Sequence, residues 1–220
     1  MSVVEVLVEM GGVATRRALV AATSRSEVDE AVASGSVLRL ARGRYALPAV
    51  DDAVSAAHRL TGVVSRLSAA QYWGWAVQIP PERPHVTVPP NRRMRSAPSD
   101  VAVHYADLGA DDVDGIATSR DRTLLDCLRS EGFDGALAVA DSALRDGFSR
   151  ARLLAIARDA RGPGAPRIRA VARAADARAA NPFESVLRGI ALRVDGLHVT
   201  PQVSIRDPTS WGAPISWTNA

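Results

Sequence analysis

The hydrophobic period changes once within the first 48 residues, and that change restricts what the beginning of the chain can fold into. Apolar residues first recur at helical spacing. Val3, Val4, Leu7 and Val8 mark a short helix over 3–10, which Gly11-Gly12 stops. Thr15 stands at an N-cap position before a helix over 16–22, with Ala18, Leu19 and Ala22 inward. Ser24-Arg25-Ser26-Glu27 then has the spacing of a capping box, serine at N-cap and glutamate at N3. The helix it opens carries Val28, Ala31 and Val32 on one face, runs to about Ser34 and is closed by Gly35. From Val37 onward the period is two. Leu38 and Leu40 alternate with Arg39, Arg42-Gly43 makes a turn, Arg44-Tyr45-Ala46-Leu47 returns, and Pro48 closes the unit. Three short helices followed by a hairpin predict a winged helix-turn-helix over residues 1–48.

That motif lays its second helix in the major groove, with side chains near the helix N-terminus facing base edges. Here those are Arg25, Ser26 and Asp29, while Ser24 and the free amides of the first turn suit a phosphate. Arg39, Arg42 and Arg44 on the wing suit the backbone or the minor groove. Arg16 and Arg17 fit flanking phosphates. The net charge, +3, points only weakly to a polyanion. All 27 basic residues are arginine. Arginine's planar fork suits phosphate and guanine, but a GC-rich genome produces the same bias. Units of this shape also serve as protein-docking modules, so composition leaves both roles open.

Beyond residue 48 the sequence reads as an ordinary globular mixture, 47% hydrophobic and 23% charged. No apolar run reaches the roughly 18 residues of a membrane span. The first residues lack a basic flank and a cleavage site, so they read as an amphipathic helix rather than a signal peptide. The single cysteine, Cys127, excludes an internal disulfide and a cysteine-based zinc site, and the cytoplasm is the expected location. Helical patterns cover 51–60, 65–75, 134–144, 150–158, 166–177 and 183–194, Thr118 to Leu128 reads as a loop leading into a helix, and Gly162-Pro163-Gly164 is a break. Extended runs are expected at 85–88, 101–105 and 197–205. The loop at Asn91-Arg92-Arg93-Met94-Arg95 is a basic cluster, either solvated or a supplementary phosphate contact. His58, His85, His104 and His198 show no metal-ligand spacing. Cys127, beside Leu124, Leu125 and Leu128, reads as a buried inert thiol, and Tyr72, Trp73 and Trp75 read as core. The expected class is α+β: a winged helix over 1–48, a mixed α/β domain over 49–180 and an incomplete nuclease-like segment over 181–220.

Two stretches resemble known families. The run GGVATRRALVAATSRSEVDEAVASGSVLRLARGRYALP is similar to the N-terminal domain of AbiEi-type antitoxins, regulators of type IV toxin–antitoxin abortive-infection systems. RLSAAQYWGWAV, RPHVTVPPNRR and DGIATSRDRTLLDCLR resemble the central region of longer proteins with this domain, which extends the likeness over about residues 1–195. The resemblance implies a DNA-binding autorepressor whose partner is a nucleotidyltransferase-type toxin. The second stretch, NPFESVLRGIALRVDGLHVTPQVSI, resembles the opening of a very-short-patch-repair-like endonuclease domain of the DUF559 group. That likeness gives Glu184 the place of a helix glutamate that helps hold a divalent metal, although it is also an ordinary first-turn helix residue.

Residues 207–220 depart from the second family, because no acidic strand follows. Back-translation from the last base of the Pro208 codon can spell Asp-Phe-Leu-Gly-Arg-Pro-Asp-Leu-Val-Asp. The glycine across Trp211/Gly212 and the aspartate across Trp217/Thr218 are forced by the tryptophan codon. The expectation is a truncated or frameshifted end, with Glu184 vestigial, no catalytic machinery, no metal and no cofactor. A DNA-binding regulator of antitoxin type is therefore the main expectation. A DNA-targeted metal-dependent endonuclease, or a remnant of one, is the alternative, and a protein-interaction module of a defence system is the third.

Overall fold

The computed structural model describes residues 1–10, 13–41, 44–92, 98–194 and 201–202, and within them the chain is a mixed α+β protein. It begins with α1 (Val3–Glu9), β1 (Val13–Thr15), α2 (Arg16–Ala22), α3 (Arg25–Ala33), β2 (Leu38–Ala41) and β3 (Arg44–Ala46). Ser2 and Glu5 form a complete capping box that starts α1, with each side chain bound to the other's backbone amide. The three strands form an antiparallel sheet in the order β1-β3-β2, so the hairpin expected from the period-two pattern gains a third strand. β1 has too few residues to show alternation, and only its pairing with β3 defines it. Val3, Val6, Leu7, Leu19, Val28, Val37 and Tyr45 close over one another as the core of this unit. Ala22, expected inward, is exposed, because the two-turn α2 buries only Leu19.

The middle of the chain is built on a five-stranded mixed sheet. Its elements are α4 (Ala49–Leu60), β4 (Val63–Val64), α5 (Arg66–Tyr72), β5 (His85–Val88), β6 (Ala102–Tyr105), β7 (Val113–Asp114) and β8 (Ala117–Thr118). The strand order is β6-β5-β4-β8-β7, with β5 and β6 parallel. Ala53, Ala56 and Ala57 of α4 lie against Val64, Val86 and Val88. The link from α4 to β4 passes so close over β5 that a Cβ on Gly62 would sit 2.7 Å from the Thr87 carbonyl oxygen. Three of these strands have only two residues each, too few for any periodic signal.

The rest is helical: α6 (Arg120–Ser130), α7 (Phe133–Arg145), α8 (Arg150–Asp159), α9 (Ala165–Ala174) and α10 (Pro182–Ala191). Every residue of α7 from Gly135 to Leu144 is buried, and α6, α9 and α10 pack around it. Asp141 lies inside this packing with no exposed surface. Arg188 of α10 donates to Asp141 Oδ2 and to the Ala174 carbonyl, and the Asp176 amide donates to Asp141 Oδ1 at 2.7 Å. Burial pushes the Asp141 carboxyl upward, while the Arg188 guanidinium pulls it back down. Through this pair α10 is joined to α7, across the boundary expected at residue 181. Of the strand expected over 197–205, only Pro201 and Gln202 are described. They form a turn, with Gln202 at φ +52°, so no strand runs through them; the other residues of that stretch lie outside the described set. The tail over 207–220 lies outside it as well.

Arg188→Met leaves a carboxylate buried without its partner, and its expected cost is about 3–5 kcal/mol of unfolding free energy. Arg193→Met breaks a pair with Asp134 in which the arginine is half exposed, for about 1 kcal/mol or less. Denaturant titration of the two variants checks this; equal shifts would contradict it.

Candidate nucleic-acid interface

The residues expected to meet DNA converge on one small unit, but they do not share one state. Ser24 caps α3: its Oγ accepts the Glu27 amide at 3.2 Å and donates to Glu27 Oε2 at 2.6 Å. The expected capping box is therefore only half formed. The Glu27 carboxylate takes the serine hydroxyl and not the Ser24 backbone amide, so the Ser24 side chain is committed to the cap and not directed at a phosphate. Ser26 Oγ lies 3.1 Å from Ser24 Oγ and is exposed.

Arg16 is also engaged. Its Nη2 lies 2.6 Å from Asp29 Oδ1 and its Nη1 donates to Tyr45 Oη at 3.0 Å. One guanidinium thus fastens the start of α2 to α3 and to β3. Sequence reasoning assigned Arg16 and Asp29 to separate contacts, whereas the fold pairs them. Arg17, Arg25 and Arg39 are exposed and carry no ion pair among the described residues. Arg44 is placed in β3 opposite Thr15, but its side chain lies outside the described set, as does all of Arg42. The available surface therefore comprises Arg25 and Ser26 in the first turn of α3, Arg17 on α2 and Arg39 on the hairpin. In the loop after β5, Arg92 is half-buried, and Arg93, Met94 and Arg95 lie outside the described residues.

Glu184 is used structurally. Asn181 caps α10 by accepting the Glu184 amide at 2.9 Å, and the Glu184 carboxylate accepts the Ala180 amide at 2.7 Å. Gln202 Nε2 donates to both of its oxygens at 3.0 and 3.1 Å. Among the described residues no group of three or more His, Cys, Asp or Glu side chains is placed to share a metal ion. Cys127 is fully buried, and burial drives its thiol well above the ordinary range, which leaves it in the inert protonated form.

Two sites escaped the sequence reading. Arg120 stands over the rings of Trp73 and Trp75, 5.3 and 6.0 Å from their centroids, and reaches Asp146 at 3.3 Å. His85 and His104, which look scattered in the sequence, meet on the neighbouring strands β5 and β6 with ring centroids 5.0 Å apart. Only the parallel pairing of those strands brings them together. Burial, with the Arg66 and Arg83 charges, lowers the His85 imidazole to about 4; burial, with Arg66 and His85, lowers His104 to about 4.

Those imidazoles remain neutral in the fold down to about pH 4, while in the unfolded chain they take protons near their ordinary 6.5. The unfolded state therefore binds more protons between those values, and stability falls as the pH is lowered from 6.5 toward 4. The melting midpoint should be lower at about pH 5 than at about pH 7, and His104→Gln should shrink the difference. A midpoint independent of pH in the parent chain would contradict this.

No helix among the described residues is long and apolar enough to cross a membrane. No family model matches the chain, and no curated protein matches it. Among solved structures it is similar to the RV2827C protein from Mycobacterium tuberculosis, at 17% identity over 84% of this chain and 80% of that one, with a TM-score of 0.38. So distant a likeness defines neither a family nor an activity.

Proposed function

We propose that this chain binds duplex DNA through its N-terminal unit and acts as a transcriptional regulator of antitoxin type. The observation that carries the reading is the exposed first turn of α3, with Arg25 and Ser26, in one unit with a β2–β3 hairpin that exposes Arg39. The strand order β1-β3-β2 behind three short helices is that of a winged helix, which presents such a turn to the major groove and its hairpin to the backbone. Arg25 suits guanine or phosphate, and Arg17 and Arg39 suit flanking phosphates. Arg16 pairs with Asp29 of α3, and Ser24 caps that helix. A nucleotidyltransferase-type toxin as partner follows from the AbiEi resemblance alone, and a cytoplasmic setting from the single cysteine and the lack of a long apolar run. The endonuclease alternative has no observation in its favour, since Glu184 caps its own helix and binds Gln202.

Equilibrium binding of the full chain to a duplex from upstream of its own gene tests the proposal. Affinity should fall steeply with salt, Arg25→Gln should reduce the preference over a scrambled duplex, and Arg39→Gln should weaken binding to both alike. Removing one well-formed bond to a base edge should cost about 1–3 kcal/mol of that preference. A parent chain that ignores DNA at low salt would overturn the proposal.

A further inference from the structure

Positive charge is concentrated in one part of this chain. Residues 150–178 hold eight arginines and two aspartates, a net +6, while the whole chain is only +3. All the rest is therefore net acidic. The N-terminal unit, residues 1–48, sets six arginines against five carboxylates. Such a unit attracts a polyanion weakly, so the strong field must come from the α8–α9 pair.

The two helices turn Leu153, Ala157, Ile168 and Val171 inward, and this leaves the arginines outside. They gather at two poles. Where α8 ends and α9 begins, backbone carbonyls tie down four guanidinium groups in series. Arg167 donates to the Arg129 carbonyl at 2.7 Å, and Arg129 to that of Arg161 at 3.2 Å. Arg161 donates to the Arg158 carbonyl at 2.8 Å and Arg169 to the Ala160 carbonyl at 3.3 Å. At the far end of α9, Arg150 donates to the carbonyls of Arg173 and Ala175. The ten residues of α9 separate the poles by about 15 Å. Arg152, Arg158 and Arg178 have surface carboxylate partners. Arg129, Arg150, Arg161, Arg167, Arg169 and Arg173 have none among the described residues. The carbonyl bonds occupy one or two of the five donors of Arg129, Arg150, Arg161, Arg167 and Arg169 and leave the others, and among the described residues Arg173 donates to no carbonyl.

We infer that the α8–α9 face is a second, sequence-independent contact surface for the phosphate backbone of the duplex that the N-terminal unit reads. The inference rests on the proposed DNA binding above. Fixed guanidinium forks match phosphate oxygens, and holding them in place lowers the entropy cost of binding. An acidic protein is the less fitting partner, because a protein interface needs an apolar centre and Leu154 is the one large apolar residue α8 and α9 expose. The segment just beyond α9 lies beside the N-terminal unit. Arg145, which donates to the Ala179 carbonyl just beyond α9, shares a cleft of about 500 Å³ with Thr15 and Ala18 of that unit.

The test is binding of the full chain carrying Arg161→Gln, Arg167→Gln and Arg173→Gln to upstream and scrambled duplexes across a salt series. Affinity for both should fall about tenfold near physiological salt, and the slope of log K against log salt should flatten by about 2 to 3, close to 0.9 for each phosphate that is no longer neutralised. Preference for the upstream sequence should remain. The corresponding triple lysine variant should keep most of the slope, which separates charge from folding. Unchanged affinity and slope in a glutamine variant that melts like the parent would overturn the inference. So would a variant that no longer binds polyglutamate yet binds the duplex as the parent does, which would assign the face to acidic polypeptides. Parent-like sequence preference after Arg25→Gln and Arg39→Gln would instead overturn the reading of the N-terminal unit and leave this surface standing.

Discussion

Burial of α7 is the constraint on which the larger part of the molecule depends. A helix with ten consecutive buried residues needs neighbours on all sides, and α6, α9 and α10 supply them. Gly135, Ala136, Ala138, Ala140 and Ala143 keep its girth small, so those neighbours approach closely. Asp141 is the charged exception to its largely apolar character, and its charge is tolerable there only with Arg188 and the Asp176 amide bound to it. That requirement fixes α10 and the end of α9 together. It thereby sets where the outer arginines of α8 and α9 stand.

The N-terminal unit was almost fully legible because its signals are local. Caps at Thr15 and Ser24, the stop at Gly35 and the alternation around Arg39 each act within a few residues. What it hid was non-local. The pairing of β1 with β3 and the clasp of Arg16 on Asp29 and Tyr45 join residues up to 33 positions apart, and no spacing rule encodes them. The same holds for His85 and His104, and for the two-residue strands of the central sheet. Long helices were visible as elements, but which of them would be engulfed was not. The buried Asp141 looks in the sequence like any polar residue of an amphipathic face.

Function was legible only in outline. Residue types at the start of α3 and on the hairpin suggest nucleic acid, and the fold leaves Arg17, Arg25 and Arg39 exposed. It also withdraws Arg16 and Ser24 into support, as carboxylate and amide partners within hydrogen-bond reach claim them first. Glu184 is withdrawn in the same way, by the cap of its own helix. The dense charge of α8 and α9 was visible as composition from the start. Composition does not show that the helices turn their apolar residues inward, or that Arg150, Arg161, Arg167 and Arg169 donate to backbone carbonyls at the surface.

Amide hydrogen exchange of the full chain, with and without a duplex from upstream of its gene, tests the central claim most directly. The account predicts added protection in the first turn of α3 and along the β2–β3 hairpin. Protection confined to other parts of the chain, or none at a duplex concentration that saturates binding, would contradict it.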